Sequence, residues 1–138
     1  MAKKVFIDTN PLIYLVSGQE PYHRKVLNFL STCIEEDAEF YTSTITDAEF
    51  LSKPLAENNI EQIERYKKCL KQLDLLKNFI SEHVAVKAAQ IRAKYQPIKL
   101  ADALQLASSI DCNCDAFLTN DKQLKQVSEA RVLYLGDL

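Results

Sequence analysis

Glycine is scarce in this chain: the 138 residues include only Gly18 and Gly136. Phosphate-binding loops of the P-loop and dinucleotide-binding types need several glycines at fixed spacings, because the backbone must approach the phosphates closely. The shortage of glycine therefore excludes both classes of nucleotide-binding protein. It also means that chain reversals must depend on Pro, Asn and Asp, which turns favour as well.

Histidine and cysteine are also few, and neither forms a catalytic or zinc-binding pattern. The two histidines, His23 and His83, do not combine with a serine or a cysteine in the arrangement of a hydrolytic triad. We expect Cys33 and Cys69 to be small core residues of helices, and the turn Cys112-Asn113-Cys114 to carry exposed thiols. Since no second pair of ligands accompanies that turn, it does not predict a structural zinc site.

Long apolar runs are absent as well, so the sequence predicts no membrane-spanning segment. Residues 1–8 hold two lysines and too few apolar residues for a secretory signal before Asp8 introduces a charge, and we therefore expect a cytoplasmic protein. The net charge of −2 argues against a protein that binds nucleic acid through a large basic surface. It does not exclude an enzyme that contacts a few nucleotides.

Apolar patterning predicts strands that alternate with helices along one domain of residues 1–138. The predicted strands cover residues 4–8, 39–43, 75–80, 116–119 and 131–135. The predicted helices cover residues 12–17, a segment after Pro21, a segment around 47–51, and residues 60–73, 84–95, 100–110 and 121–126. We expect Thr9 or Asn10 to cap the first helix. Such alternation predicts a parallel sheet with helices on both faces, in which ligands bind at the carboxyl ends of the strands.

Four acidic residues fall at or near the predicted carboxyl edge of this sheet. Asp8 ends the first strand, and Asp121 follows the fourth. Glu49 lies one helical turn after the second strand, and Asp102 lies in the first turn of the apolar sixth helix. Taken singly, Asp8, Glu49 and Asp121 have structural explanations, as a turn residue, a solvated helix residue and a helix cap. Asp102 is harder to explain alone, because an acid within an apolar helix is costly to bury without a partner.

Together the four acids predict a site for a divalent cation. Carboxylates a few ångströms apart repel one another, and protonation or a cation must relieve that repulsion. Hard divalent cations prefer oxygen ligands, and the helix N-termini near Asp102 and Asp121 favour the ionised form of both side chains. Such a site can lower the pKa of a bound water molecule and neutralise charge on a phosphate under in-line attack. The pattern therefore indicates metal binding more directly than it indicates a substrate.

The segments that carry these acids resemble those of the PIN-domain nucleases. The length and the lack of extra domains look most like the VapC-type toxins, which pair with a small antitoxin, and the resemblance runs from near Lys4 to near Leu135. The similar segments are Asp8-Thr9-Asn10, Ser43 to Phe50, Leu100 to Ala107, and Phe117 to Asp121.

The resemblance implies a three-layer α/β/α domain with a central parallel sheet. It further implies an endoribonuclease, the toxin of a toxin–antitoxin pair, that uses Mg²⁺ or Mn²⁺ to hydrolyse phosphodiester bonds in RNA. By motif, we expect Asp8 and Asp102 to bind the metal directly, and Glu49 and Asp121 to bind it directly or through water.

The resemblance also implies supporting residues and partners. Thr119 is expected to be a hydroxyl that orients a water molecule or a metal ligand, and Asn10 a polar neighbour of Asp8. The implied partners are an RNA substrate, a cognate antitoxin and a second copy of the chain in a homodimer. The amphipathic helix 60–73 either supplies part of a dimer interface or packs on the core of its own chain.

Two features near these acids stay open. Asp47 stands two residues before Glu49, and on a helix the two side chains point about 200° apart, so only one can face a metal. The family pattern favours Glu49. Many relatives carry a basic residue near the third acid, and Lys99 can fill that position, but Arg92, Lys94 and Lys99 are explained equally well as solvated charges.

Other classes of protein fit the pattern less well. A phosphatase of the haloacid-dehalogenase type needs a second aspartate where this chain has Asn10, and a receiver domain needs acids where Lys3 and Lys4 stand. Relatives of the PIN family carry a glycine before the last core strand, where this chain has Asn113 in a turn; asparagine can adopt the same left-handed conformation. A catalytically silent PIN fold that binds RNA or a protein is the remaining hypothesis, and the presence of all four acids argues against it.

Overall fold

Strands and helices alternate along residues 2–138, which the computed structural model of the chain describes. Each predicted strand and helix is found, with ends shifted by a few residues. The elements are β1 (Lys4–Ile7), α1 (Thr9–Ser17), α2 (Tyr22–Glu35), β2 (Glu39–Ser43), α3 (Thr44–Ala56), α4 (Ile60–Gln72), β3 (Leu76–Asn78), α5 (Glu82–Lys94), α6 (Leu100–Asp111), β4 (Ala116–Thr119), a 3₁₀ helix (Lys122–Gln126), β5 (Val132–Tyr134) and a second 3₁₀ helix (Leu135–Asp137).

The strands form one parallel sheet in the order β3-β2-β1-β4-β5. β1 lies in the middle, where Val5 is opposite Phe40 of β2 on one side and Ala116 of β4 on the other. The chain therefore adds strands first on one side of β1 and then on the other. In open parallel sheets, ligands bind in the crevice where the strand order reverses in this way. That crevice lies beyond Ile7 and Thr119, the last residues of β1 and β4.

Helices cover both faces of the sheet, which confirms the predicted three-layer α/β/α architecture. Alternate residues of a strand point to opposite faces. Val5 and Ile7 pack in the core formed with α1 to α4, whereas Phe6 packs in the core formed with α5 and α6. Phe6 stacks on Phe117 of β4 in the second core, with the ring centroids 5.3 Å apart. Both faces of the central strand are thus buried, as its continuous apolar run predicts.

α4 packs on its own chain through Tyr66 and Leu70, which are buried, whereas Ile60 at its start is 70% exposed. The helix thus contributes to the core, and its first turn presents an apolar side chain to solvent. Within residues 2–138, no helix is both long enough and apolar enough to cross a membrane.

The start of α1 differs from the prediction. The helix begins at Thr9 and not at residue 12, and its cap is Asp8, so the expectation that Thr9 or Asn10 caps the helix is wrong. The backbone of Asp8 is extended, and its carboxylate accepts a hydrogen bond from the backbone N–H of Thr9. The strand gives way to the helix within a single residue, and that residue is an acid.

Asp and Asn make several of the chain reversals, as the shortage of glycine predicts. The backbone adopts a positive φ at Asp37, Asn58, Asp74 and Asn113. Asn113 has a φ of 56° in the turn before β4, so asparagine supplies there the conformation expected of a glycine. The thiols flanking this residue are half-buried, and the expectation that they are exposed is wrong.

Candidate active site

The carboxyl ends of β1 and β4 form the base of the candidate active site. Asp8 follows β1 directly and is only 5% exposed, and Thr119, the last residue of β4, is fully buried beside it. The Thr119 hydroxyl donates to Asp8 Oδ2 at 2.8 Å, and the backbone N–H of Thr9 donates to Asp8 Oδ1 at 2.9 Å. Each carboxylate oxygen of Asp8 therefore accepts at least one hydrogen bond.

Glu49 reaches the same edge from α3. Although Glu49 is exposed, its Oε1 accepts a hydrogen bond from the hydroxyl of the buried Thr9 at 2.6 Å. Thr9 is thus a bridge: its backbone contacts the carboxylate of Asp8 and its side chain contacts the carboxylate of Glu49.

Asp47 is directed elsewhere, although it stands only two residues before Glu49. Asp47 Oδ1 accepts a hydrogen bond from the Tyr66 hydroxyl at 2.8 Å and lies 3.0 Å from Lys77 Nζ. Both partners lie on other elements, α4 and the neighbouring β3. Of the two acids of α3, Glu49 is therefore the one that contacts the surroundings of Asp8.

The two later acids, Asp102 and Asp121, are half-buried. Asp102 lies in the first turn of α6, and Asp121 caps the 3₁₀ helix after β4 by accepting the N–H of Gln123 at 3.0 Å. The backbone N–H of Asp121 donates to the Thr119 hydroxyl at 3.1 Å, which links this acid to the partner of Asp8.

The polar residues expected beside these acids behave differently from one another. Thr119 is bonded to Asp8 as described, whereas Asn10 is exposed on the first turn of α1. Lys99 precedes α6, and its positive charge acts on Asp102. Arg92 donates through Nε to the carbonyl of Ile98, so its guanidinium is engaged by the backbone.

The pKa values of Asp8 and Asp102 are both raised, in part by the charges of neighbouring acids. Burial, followed by the charges of Asp102 and Glu49, raises the pKa of Asp8 to about 7, against the hydrogen bonds from Thr119 and Thr9. Burial, followed by the charges of Asp121 and Glu49, raises the pKa of Asp102 to about 6. Such shifts mean that the ionised carboxylates are poorly compensated by the protein itself.

The oxygen-only donor set is chemically suited to a hard divalent cation, since carboxylates are its preferred ligands and no histidine or cysteine belongs to the group. Within the described residues 2–138, however, no three acidic, histidine or cysteine side chains lie close enough together to hold a metal ion as they stand. The carboxylates are nevertheless near enough for the charges of Asp102 and Glu49 to act on Asp8, and for those of Asp121 and Glu49 to act on Asp102.

Gln105 is a residue of this site that the sequence analysis missed. Its side chain is fully buried on α6, and its Nε2 donates to the hydroxyls of Thr46 and Thr9, at 2.8 Å and 3.2 Å. Gln105 stands three residues after Asp102, so both lie on one face of the helix. The available signal was a glutamine inside the apolar run of α6, where an uncharged polar residue needs a partner just as an acid does.

The family model of the PIN domain matches residues 5–130. The chain therefore belongs to the PIN domain family. A comparison of the sequence with curated proteins found no match.

Solved structures of the same fold come from bacterial toxin–antitoxin complexes. A chain of VapBC2 from Rickettsia felis, bound to a DNA fragment from its promoter, is 16% identical with a TM-score of 0.75, over 95% of this chain and 98% of that one. A chain of FitAcB from Neisseria gonorrhoeae is 23% identical with a TM-score of 0.71, over 97% and 99%. A toxin–antitoxin complex from Klebsiella pneumoniae contains a chain that is 24% identical with a TM-score of 0.69, over 95% and 97%.

Proposed function

We propose that this chain is a divalent-metal-dependent endoribonuclease and the toxin of a toxin–antitoxin pair. The observation that carries the proposal is the environment of Asp8, a buried carboxylate at the strand-order reversal whose pKa is raised by burial and by the charges of Asp102 and Glu49. A group of mutually repelling carboxylates, of which Asp8 is buried, is stabilised when a cation is bound among them.

Each residue has a role in the proposed site. Asp8 and Asp102 are assigned as direct metal ligands, and Glu49 and Asp121 as ligands that bind directly or through water. A bound Mg²⁺ or Mn²⁺ supplies a water molecule of lowered pKa and neutralises negative charge on a phosphate. Thr119 holds the orientation of Asp8 through its 2.8 Å hydrogen bond.

The substrate and the partners rest on the family likeness. PIN-domain nucleases of the VapC type cut RNA, and the similar solved structures include complexes described as VapBC and FitAcB. This similarity supports an RNA substrate, a cognate antitoxin and a homodimer of a single-domain cytoplasmic protein. Asn10 is exposed at the start of α1, where a polar side chain can contact RNA beside Asp8.

A second candidate function is an RNA- or protein-binding module that does not cut. One observation favours it: within residues 2–138, no three acidic side chains lie close enough together to hold a metal ion. Cleavage is preferred because all four acids are present and the charges of Asp102 and Glu49 act on Asp8.

The test is cleavage of structured RNA with Mn²⁺ or Mg²⁺, with DNA of the same sequence and EDTA as controls. We expect Asp8→Asn to lower cleavage by at least ~100-fold, whereas the matched variant Asp47→Asn, which alters the acid bonded to Tyr66 and Lys77, keeps it within a few-fold. Cleavage that survives EDTA, or equal activity of Asp8→Asn, contradicts the metal mechanism. RNA binding without cleavage by the wild-type protein supports the second candidate.

A further inference from the structure

The amide of Gln105 connects three segments of the candidate active site. Its side chain, fully buried on α6, lies against Ser43 at the end of β2, Thr46 in the first turn of α3 and the start of α1. Toward α1 it approaches two residues: Nε2 lies 3.2 Å from the Thr9 hydroxyl and 3.4 Å from Asp8 Oδ1. One side chain of α6 thus reaches the end of β2 and the helices α1 and α3, which pack on the opposite face of the sheet from α6.

The orientation of this amide is fixed by the hydroxyl groups around it. The Thr42 hydroxyl donates to the Ile7 carbonyl at 2.8 Å, so the hydrogen between Thr42 and Thr46, 2.7 Å apart, comes from Thr46. The Thr9 hydroxyl uses its hydrogen on Glu49. Thr46 and Thr9 therefore present only lone pairs toward α6, and a donor must face them.

The NH₂ group of Gln105 is that donor. Reversing the amide would turn its oxygen toward two hydroxyl lone pairs and the Asp8 carboxylate, all of which are acceptors. The other end is complementary as well, because Oε1 accepts the hydrogen of Ser43, whose oxygen in turn accepts the N–H of Ile45 at 3.1 Å. The amide therefore has one favourable orientation, and it directs N–H groups at Thr46, Thr9 and Asp8.

We propose that Gln105 is a positioning residue for metal binding, which sets the carboxylate of Asp8 directly and that of Glu49 through the hydroxyl of Thr9. The inference rests on the proposed function in that it assigns Gln105 to the same metal site. Gln105 lies beneath the acids and is closed off from solvent, so it acts through them and does not contact RNA. Removal of its N–H groups frees the Thr9 hydroxyl to turn away from Glu49 toward Thr46, which lies 3.2 Å away.

The test compares Gln105→Met with the wild-type protein in binding Mn²⁺ alone, measured by titration calorimetry. Methionine has nearly the same length but no donor. We expect the Mn²⁺ dissociation constant to rise roughly 10–100-fold, as is usual when a residue that orients metal ligands is lost. In RNA cleavage we expect kcat to fall while KM stays within about threefold, since Gln105 does not touch the substrate.

A matched control separates positioning from stability. Ser108→Ala also removes a fully buried polar group of α6, which accepts a hydrogen bond from Asn78 at 2.9 Å and does not contact the acids. We expect Ser108→Ala to lower the melting temperature and to leave Mn²⁺ affinity unchanged. A folded Gln105→Met protein with wild-type Mn²⁺ affinity and kcat overturns the inference.

Variants of Thr9 test the proposed effect of Gln105 on Glu49, which acts through the Thr9 hydroxyl. They also replace Gln105→Met as the test if that variant does not fold. Thr9→Val removes the hydroxyl that links Gln105 to Glu49, and Thr9→Ser keeps it. We expect Thr9→Val to weaken Mn²⁺ binding and Thr9→Ser to restore it. Where both variants fold, the loss of Mn²⁺ binding free energy in the Thr9→Val/Gln105→Met double variant should be smaller than the sum of the losses in the single variants. Both substitutions break the same chain of hydrogen bonds to Glu49. Equal Mn²⁺ affinity of Thr9→Val and Thr9→Ser overturns the inference.

The Mn²⁺ titration also distinguishes failure of the inference from failure of the proposed function. If the wild-type protein cuts RNA but the Gln105 variants bind Mn²⁺ as tightly as the wild type, the nuclease proposal stands and the positioning role is overturned. If the wild-type protein cuts no RNA but the Gln105→Met variant binds Mn²⁺ more weakly than the wild type, the positioning role is supported and the nuclease proposal is overturned.

Discussion

Thr119 Oγ1 donates a hydrogen bond to Asp8 Oδ2 at 2.8 Å, and Thr119 Oγ1 also accepts one from the backbone N–H of Asp121 at 3.1 Å. One hydroxyl therefore connects the acid after β1 to the acid after β4. The only hydrogen of this hydroxyl is directed at Asp8, and its lone pair receives the hydrogen of Asp121. The position of Asp8 is in this way coupled to the turn that begins the 3₁₀ helix.

Replacing Thr119 by valine should affect both stability and the site. Thr119→Val preserves the shape but leaves a buried Asp8 oxygen and the Asp121 N–H without their partner, which we expect to cost about 1–3 kcal/mol in the free energy of unfolding. Urea denaturation measures that cost, and cleavage should fall about 10–100-fold because Asp8 is no longer oriented. Thr119→Ser, which keeps the hydroxyl, is the control. Equal cleavage by the valine and serine variants would show that the hydroxyl does not orient Asp8.

The stability of the metal-free protein should fall as the pH rises. The pKa of Asp8 is about 7 in the folded chain, above its ordinary value of 3.8, so between these values the folded state binds more protons than the unfolded state. Stability due to this group is therefore highest below pH 4 and is progressively lost up to pH 7; the raised pKa of Asp102, about 6, acts in the same direction.

In EDTA we expect the melting temperature to be several degrees higher at pH 5.5 than at pH 8, as followed by circular dichroism. Asp8→Asn removes the titrating carboxyl and should reduce this difference. If the variant shows the same dependence as the wild-type protein between those pH values, another group is responsible.

Mn²⁺ should stabilise the protein against heat, and the acids should contribute unequally. A cation that binds only the folded state raises the melting temperature in proportion to its binding free energy. At 1 mM Mn²⁺ and pH 8, Asp8→Asn and Asp102→Asn should abolish most of the increase. Asp121→Asn should reduce it less, because Asp121 is assigned as a ligand that binds directly or through water, whereas Asp8 and Asp102 are assigned as direct ligands. A larger loss with Asp121→Asn than with Asp102→Asn would reverse the assignment of the direct ligands.

The stacked rings of Phe6 and Phe117, in the core between the sheet and α5 and α6, allow a test of packing that is independent of the candidate active site. Phe6 and Phe117 stack across β1 and β4 with an interplanar angle of 9°. In a double-mutant cycle with leucine at each position, we expect a coupling of about 0.5–1.5 kcal/mol beyond the single losses. Denaturation of the four proteins in urea measures it. Strictly additive losses would mean that the rings contribute only by filling space.

Alternating apolar segments made the fold predictable, because the strands carry short apolar runs and the helices an apolar face. The positions of Asp8 and Asp121 at one edge followed from the rule for parallel sheets and needed no side-chain detail. The cap of α1 was harder: Thr9 and Asn10 are equally good caps by composition, and only the abrupt end of β1 at Ile7 makes Asp8 the capping residue.

Tertiary contacts decided what the sequence left open. Asp47 and Glu49 are equivalent by composition, and their partners, Tyr66 and Lys77 for one and Thr9 for the other, are distant in sequence. Gln105 was missed for the same reason. The apolar run of α6 indicates that Gln105 needs a polar partner, but its hydrogen-bond partners lie at least 59 residues away, so no local pattern indicates which site the glutamine belongs to.

Pairing between the first and the fourth strand has a consequence for synthesis of the chain. During translation Asp8 emerges before Glu49, whereas Thr119 emerges 111 residues after Asp8. Until β4 takes its position beside β1, Asp8 lacks the hydroxyl that holds it and the fourth acid is absent. A partly synthesised or truncated chain that ends before β4 therefore cannot assemble the complete group of acids.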